Sequence, residues 1–212
     1  MIPHRTPSIL RWLYPSLVWR MDHSENNLYL TFDDGPVEGP TEFVVEHLKR
    51  FSIPATFFCI GENIRKHRQV FKEVIAQGHS IGNHTVHHMN GWKTSAETYL
   101  SDVRAFDVLA REGGLDFETK LFRPPYGRIT SRQVKHLADY RIIMWDVLSQ
   151  DYNASISAER CLRRTIKACR PGSIIVFHDS YKAFRNMQYC LPRLIDHFGG
   201  KDFNFKAIPN AI

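Results

Sequence analysis

Two adjacent carboxylates, Asp33 and Asp34, follow the apolar run 28–32 and stand directly before Gly35-Pro36. A Gly-Pro pair turns the chain at the end of a strand, so both carboxylates are aimed into a loop. Neighbouring carboxylates can divide their work, one binding a cation and the other accepting a proton. An isolated Asp-Gly pair is an ordinary turn; matching chemistry elsewhere gives this one weight. His84 and His88 are four residues apart, which lets two imidazoles face one ion from a helical turn or a compact loop. Two imidazoles with a carboxylate suit zinc and other divalent transition metals. His87, between them, is expected to point elsewhere.

Arg123-Pro124-Pro125-Tyr126-Gly127 is stiff, because its two prolines fix the backbone. Arg123 and the Tyr126 N–H can therefore be held in place, and a fixed N–H is what an oxyanion hole needs. The same residues also fit a rigid loop with a surface Arg. His178 ends the apolar run 173–177, where it can be a satisfied core histidine, a loop cap or a general acid. Asp151 is suited to orient His178 and favour its charged form. Asp179 is expected to cap a turn and Asp146 to belong to its strand.

The elements that must position these groups alternate. The stretches 28–32, 55–60, 121–122, 141–147, 173–177 and 203–208 read as strands, and 79–84 as a further strand entering a polar loop. Helical stretches are expected at 41–50, 63–77, 95–112, 131–140, 158–169 and 184–198, with a Thr94–Glu97 capping box and a kink at Pro192. Strands alternating with helices imply parallel pairing, in a barrel or in an open doubly wound sheet. The polar residues then share one meaning: each lies where a strand ends, on the face where parallel α/β folds build their sites.

A chain of 212 residues, 43% hydrophobic and 24% charged, fits one globular domain. The net charge of +6 is compatible with an anionic partner. Lys and Arg are spread along the chain rather than clustered with aromatics, so no nucleic acid is expected. Cys59, Cys161, Cys169 and Cys190 form no CxxC pair. Cys161 and Cys169 fall about 12 Å apart on one helix, too far for a disulfide, so free thiols are expected. Residues 9–21 are apolar but broken by Arg11, Pro15 and Arg20. They are too short to span a bilayer and carry no evident secretory cleavage site. This segment is expected to be an arm packed on the domain, its aromatics and arginines also suiting a membrane interface. A cytoplasmic or peripheral-membrane location follows as the expectation; the oligomeric state is left open.

Taken together the motifs resemble the polysaccharide deacetylases, the NodB homology domain of carbohydrate esterase family 4. Thr31-Phe32-Asp33-Asp34-Gly35-Pro36 matches the first family motif, His84-Thr85-Val86-His87-His88 the H-[ST]-x-x-H motif and Arg123-Pro124-Pro125-Tyr126 the R-x-P-Y motif. The resemblance runs from about residue 28 to 208 and implies an α/β fold, a distorted (β/α) barrel of about seven parallel strands in a single domain. Residues 1–24 would be the arm and 25–212 the catalytic domain. It implies that Asp34, His84 and His88 hold a divalent metal, zinc by default, with cobalt, manganese or nickel as alternatives. Asp33 would be the general base, positioned by Arg123, and His178 the general acid, positioned by Asp151. Tyr126 would offer its N–H to the oxyanion, while Tyr152 and Val176 would line the acetyl pocket. Two motifs depart from the pattern: Leu148 replaces the first Asp of the fourth motif, with Tyr152 for its Trp, and Val176 replaces the Leu of the fifth. The implied activity is removal of N-acetyl groups from N-acetylglucosamine-type residues of a carbohydrate, the one expected partner. That glycan could be peptidoglycan, a chitin-like or poly-N-acetylglucosamine chain, or a lipid-linked sugar. An O-acetyl esterase and a non-catalytic carbohydrate-binding relic are the alternatives; the relic predicts a broken ligand set, and here the set is complete.

Overall fold

The run 28–32 is largely apolar because it lies in a strand covered on both faces. The computed structural model describes residues 3–117 and 119–210. The strands are β1 (Asn27–Asp33), β2 (Thr56–Cys59), β3 (Ser80–Asn83), β4 (Leu121–Phe122), β5 (Arg141–Ile142), β6 (Val147–Leu148), β7 (Ile174–His178) and β8 (Asn204–Phe205). The helices are α1 (Ser8–Leu13), α2 (Pro40–Arg50), α3 (Gly61–Lys66), α4 (Arg68–Ala76), α5 (Ala96–Gly113), α6 (Ser131–His136), α7 (Ala158–Ala168) and α8 (Tyr181–Gly199). Seven strands pair in parallel in the order β5-β4-β3-β2-β1-β7-β6, and β8 extends the lower end of β1. The sheet curls into a distorted barrel with its helices outside.

Side-chain alternation sorts β1 into two roles. Leu28, Leu30 and Phe32 face outward into the core beneath α2 and α8, with Phe57, Ile175 and Phe177 of the flanking strands. Phe32 lies 5.1 Å from Phe57 and 6.3 Å from Phe177, ring centroid to centroid. Burying each such ring is worth roughly 1.5–3 kcal/mol. Tyr29 faces the other way, into a cluster with Phe58, Leu121, Ile143, Ile174 and Ile208. Two and four residues later the same face carries Thr31 and Asp33, so the barrel interior becomes polar as it rises to the site.

The run 141–147 is not one strand. Its start pairs with β4 and its end with β7, at opposite edges of the sheet. Ile143 N–H donates to Phe122 O at 2.8 Å, and Asp146 N–H donates to Ile174 O at 3.1 Å. The segment thus steps across the opening left where the curled sheet fails to meet itself. The N-terminal arm fills the rest of that opening. Val18 N–H donates to Ile142 O, Met144 N–H to Val18 O, Leu148 N–H to His4 O and Met21 N–H to Gly172 O. Leu17 and Trp19 are buried beneath it.

Smaller differences have local causes. Helix 63–77 divides at His67, whose non-helical backbone separates α3 from α4. Ser95 rather than Thr94 caps α5, accepting Thr98 N–H at 3.2 Å, while the Thr94 hydroxyl donates to Asn90 O. Helix 131–140 stops at His136, and α8 begins at Tyr181 and runs through Pro192. The last strand is only two residues long, with Ile208 beyond it plugging the barrel floor. All four cysteines are free. Among the described residues no helix is long and apolar enough to cross a membrane.

Candidate metal centre and active site

The upper ends of β1, β3 and β7, with the loops that follow β3, β4 and β6, deliver the polar residues to one mouth. Asp33 lies beside His178 in the β1–β7 register. Asp34 then takes a left-handed backbone, φ 80°, which turns its carboxylate away from that of Asp33. The turn is clamped from three sides. Asn63 Nδ2 donates to Asp34 O at 2.7 Å, Asp179 Oδ1 accepts Gly35 N–H at 3.0 Å, and Asp179 Oδ2 accepts the Thr41 hydroxyl at 2.6 Å. Gly35 is required at this close approach, since a Cβ there would collide with the Asp179 carboxylate. Burial raises the pKa of Asp179 to about 8. The turn-capping role expected of Asp179 is thus the one its contacts describe.

Asp34, His84 and His88 offer one ligand atom each, all within 4.8 Å of one another. Asp34 Oδ1 is 3.8 Å from His84 Nε2 and 3.2 Å from His88 Nε2. His84 Nδ1 donates to Arg123 O at 2.7 Å, which fixes the tautomer and leaves Nε2 as a lone-pair donor towards Asp34. Burial lowers the pKa of His84 to about 4, so the ring is neutral at pH 7, as a ligand must be. Burial opposes the charge on Asp34, but the hydrogen bond with His88 and the surrounding histidines hold its carboxyl well below the ordinary range. Two imidazoles beside an ionised carboxylate fit a divalent transition metal.

The loop carrying the histidines has its own clamp. Asp102 of α5 accepts the Val86 and His87 N–H groups at 2.9 and 3.1 Å, and its other oxygen pairs with His87 Nδ1. His87 therefore faces α5 rather than the metal centre. Asp102 was not legible as a site residue, because an acid in an amphipathic helix looks like any other surface charge.

Arg123 and Asp151 sit behind the groups they serve. The Arg123 guanidinium is fully buried, 4.0 Å from the Phe58 ring centroid. It donates to Asp33 Oδ1 at 2.6 Å, Thr31 Oγ1 at 2.8 Å, Ile143 O at 3.1 Å and Met144 O at 3.0 Å. Asp151 Oδ1 meets His178 Nδ1 at 2.8 Å, and Oδ2 accepts the His178 N–H at 2.7 Å. The Ser149 hydroxyl and Tyr152 N–H hold Asp151 Oδ1 in turn. Burial alone would disfavour a charged His178. The charge and hydrogen bond of Asp151, with Asp34 and Asp33 nearby, outweigh it and raise the ring to about 9. Asp146 is buried against Arg170 and Ser173 and takes no part in the site.

One pocket holds Asp33, Asp34, His84, His88 and His178, walled by Tyr126, Tyr152, Val176, Leu148 and Trp145. The Tyr126 ring packs on His88 with centroids 4.6 Å apart, and Tyr152 meets His178 edge-on at 5.0 Å. Leu148, where the fourth motif departs from the family pattern, lies opposite Val176 in the β6–β7 register. Trp145 was hidden in the sequence inside a run that reads as buried strand. Five non-glycine residues around the mouth have positive φ: Asp34, Thr85, His88, Tyr126 and Gln150. Each such residue costs on the order of 1 kcal/mol or more and persists only where its surroundings impose it.

The sequence profile described as Polysaccharide deacetylase matches residues 20–144. The chain belongs to the polysaccharide deacetylase family. This family member is 33% identical over 192 residues to a peptidoglycan-N-acetylglucosamine deacetylase of Bacillus cereus, covering 89% of this chain and 69% of that one. A chitooligosaccharide deacetylase of Azorhizobium caulinodans is 32% identical over 163 residues, covering 76% of this chain and 77% of the relative. A crystal structure of a peptidoglycan N-acetylglucosamine deacetylase in complex with 4-naphthalen-1-yl-N-oxidanyl-benzamide superposes with a TM-score of 0.89. It is 27% identical and covers 96% of this chain and 95% of that one. The family is generally metal-dependent, and the Asp34–His84–His88 cluster is where this member can hold an ion.

Proposed function

We propose that this protein is a divalent-metal-dependent amidohydrolase that releases acetate from N-acetylglucosamine residues of a glycan, with zinc as its ion. One observation carries the reading. A two-imidazole, one-carboxylate centre lies in the same pocket as a carboxylate backed by Arg123 and an imidazole backed by Asp151. The names of the relatives, which act on peptidoglycan or chitooligosaccharide, support the substrate class.

Asp34, His84 and His88 would hold the ion, which when bound acidifies water and polarises a carbonyl oxygen. Asp33 accepts the proton of the water that attacks the acetyl carbonyl carbon. Arg123 keeps Asp33 oriented for that step. The Tyr126 N–H, fixed by the prolines before it, donates to the oxygen on which charge develops. Amide nitrogen is a poor leaving group, so His178 delivers its proton to that nitrogen as the C–N bond breaks. Acetate and a free amine leave. Tyr152, Val176 and Leu148 enclose the acetyl methyl, and the small apolar wall they make favours acetyl over longer acyl groups.

The test combines metal analysis with acetate release from N-acetylglucosamine oligomers and from peptidoglycan fragments. Asp33→Asn is expected to retain the ion and to lose at least about a hundredfold in turnover. An Asp33→Asn enzyme with near-normal turnover would falsify the base assignment. Wild-type protein that binds no divalent ion would remove the proposal as a whole.

A further inference from the structure

Helix α1 buries none of its residues, although the arm that carries it is firmly held. Arg5 Nε donates to Ala168 O at 2.8 Å, Thr6 N–H to Asp146 O at 2.8 Å and Trp19 Nε1 to Tyr14 O at 3.2 Å. Leu10 points inward and packs against the cluster containing Leu17, Trp19 and Met144. Ile9, Trp12 and Leu13, spaced i, i+3, i+4, share the opposite face and are 54%, 76% and 53% exposed; Tyr14 beside them is 50% exposed. Leaving so much apolar surface bare on an anchored helix is unfavourable in water unless something covers it.

The neighbouring surface says what that something is. Although Lys and Arg are spread along the sequence, folding gathers them here. Arg160, Arg163, Arg164 and Lys167 recur at i, i+3, i+4 and i+7 along α7 and form one basic stripe. Arg5 lies across the end of that helix, bonded to the carbonyls of Lys167 and Ala168. Arg11 on α1 is close enough to Arg20 and Asp146 to shift the ionisation of both. Glu159 stands at the start of α7, and Asp146 is already paired with Arg170.

We propose that α1 and the basic face of α7 form a peripheral docking surface for an anionic lipid bilayer, with Trp12 and Leu13 inserted among the headgroups. An apolar helix face bearing Trp and Tyr beside a cluster of cations matches the interface of such a bilayer, where each feature has its own partner. A nucleic acid would use the cations and leave the apolar face wet. A second copy docked face to face would bring two basic stripes together.

Co-sedimentation of the intact protein with vesicles tests this, comparing phosphatidylcholine alone with phosphatidylcholine containing about one third phosphatidylglycerol. The expected result is binding to the anionic vesicles that falls at least about tenfold in 0.5 M salt. Trp12→Ser with Leu13→Ser, and separately Arg160→Glu with Arg163→Glu, should each weaken that binding about tenfold or more. None of these residues touches the pocket, so acetate release from a soluble oligosaccharide and the thermal midpoint should stay at wild-type values, which separates this proposal from the catalytic one. Equal binding to both vesicle types, or no pelleting at all, overturns the proposal. So does wild-type pelleting by the Trp12/Leu13 variant. Lipid-free dimerisation abolished by the Trp12/Leu13 change, or tighter binding to duplex DNA than to anionic vesicles, would reassign the surface.

Discussion

Asp151→Asn removes a charge while nearly conserving shape, and its effect on His178 can be worked through. The ring stands at about 9 because Asp151, assisted by Asp34 and Asp33, overcomes the burial that would otherwise lower it. A cation held by Asp34 would cancel part of that carboxylate's pull, leaving Asp151 as the main source of the shift. Without the Asp151 charge, burial should bring the ring to its ordinary value of about 6.5 or below. At pH 8 the protonated fraction then drops from about nine tenths to about one thirtieth, whereas at pH 6 it falls by less than about twofold. If His178 is the general acid, the loss of rate at pH 8 should exceed that at pH 6 by about twentyfold. Acetate release measured from pH 5.5 to 9.5 should show the alkaline limb of kcat moving down by about two units or more. Stability offers a second readout. A histidine raised in the folded state contributes stability fully below about 6.5 and loses it as pH rises through about 9. The wild-type advantage over Asp151→Asn in thermal midpoint should therefore shrink across that window. An alkaline limb that stays in place, or an equal loss of rate at every pH, would refute the reasoning.

Other outcomes follow from the same geometry. Arg123→Leu strands the buried Asp33 carboxylate and the carbonyls of Ile143 and Met144, so urea unfolding should show a loss of about 3–5 kcal/mol; a loss below about 1 kcal/mol would contradict the buried pairing. His79 is buried, with Nε2 unpartnered, and burial lowers its pKa to about 4. The unfolded chain takes up that proton near pH 6.5, so this stability contribution is whole above about pH 6.5 and declines towards pH 4, by about 2 kcal/mol at pH 5. His79→Leu should flatten the acid side of the stability profile, as read by thermal melts from pH 7 to 5. Leu148→Ala enlarges the pocket wall next to Val176, and should raise the ratio of propionyl to acetyl hydrolysis by about tenfold, one methylene being worth roughly 1–3 kcal/mol in such a pocket. An unchanged ratio would take Leu148 out of the acyl-binding wall.

How much of this was legible depended on whether a feature is written locally. The strands β1, β2 and β7 are largely apolar runs because helices cover one face and the barrel interior the other, and β1 and β7 each end on a residue of the site. Asp33, Asp34, His84, His88, Arg123, Asp151 and His178 could be picked out because strand ends in a parallel sheet share a face. The division of 141–147 between two sheet edges could not, since Ile143 is apolar and buried whether the chain continues in one strand or crosses a gap. Trp145 reads as core for the same reason. The Asp102 and Asp179 clamps depend on chain segments brought together from 15 and 144 residues away. The basic stripe of α7 looks like scattered charge until its helical period is drawn and Arg5 is laid across its end.

The arm that seals the barrel also sets an order of events. Residues 4–21 hydrogen-bond to segments at 142–148 and 167–173, so the arm settles only after strands far along the sequence are in place. Leu17 and Trp19 likewise wait for partners spread from Tyr99 to Met144 in the buried cluster they share. Contacts of such long sequence separation slow folding and lengthen the exposure of sticky segments. Shortening the protein to the span that aligns with the family profile, from residue 20, would remove that delay and with it the seal, leaving the backbone of Met144 and Leu148 without the carbonyls it now donates to.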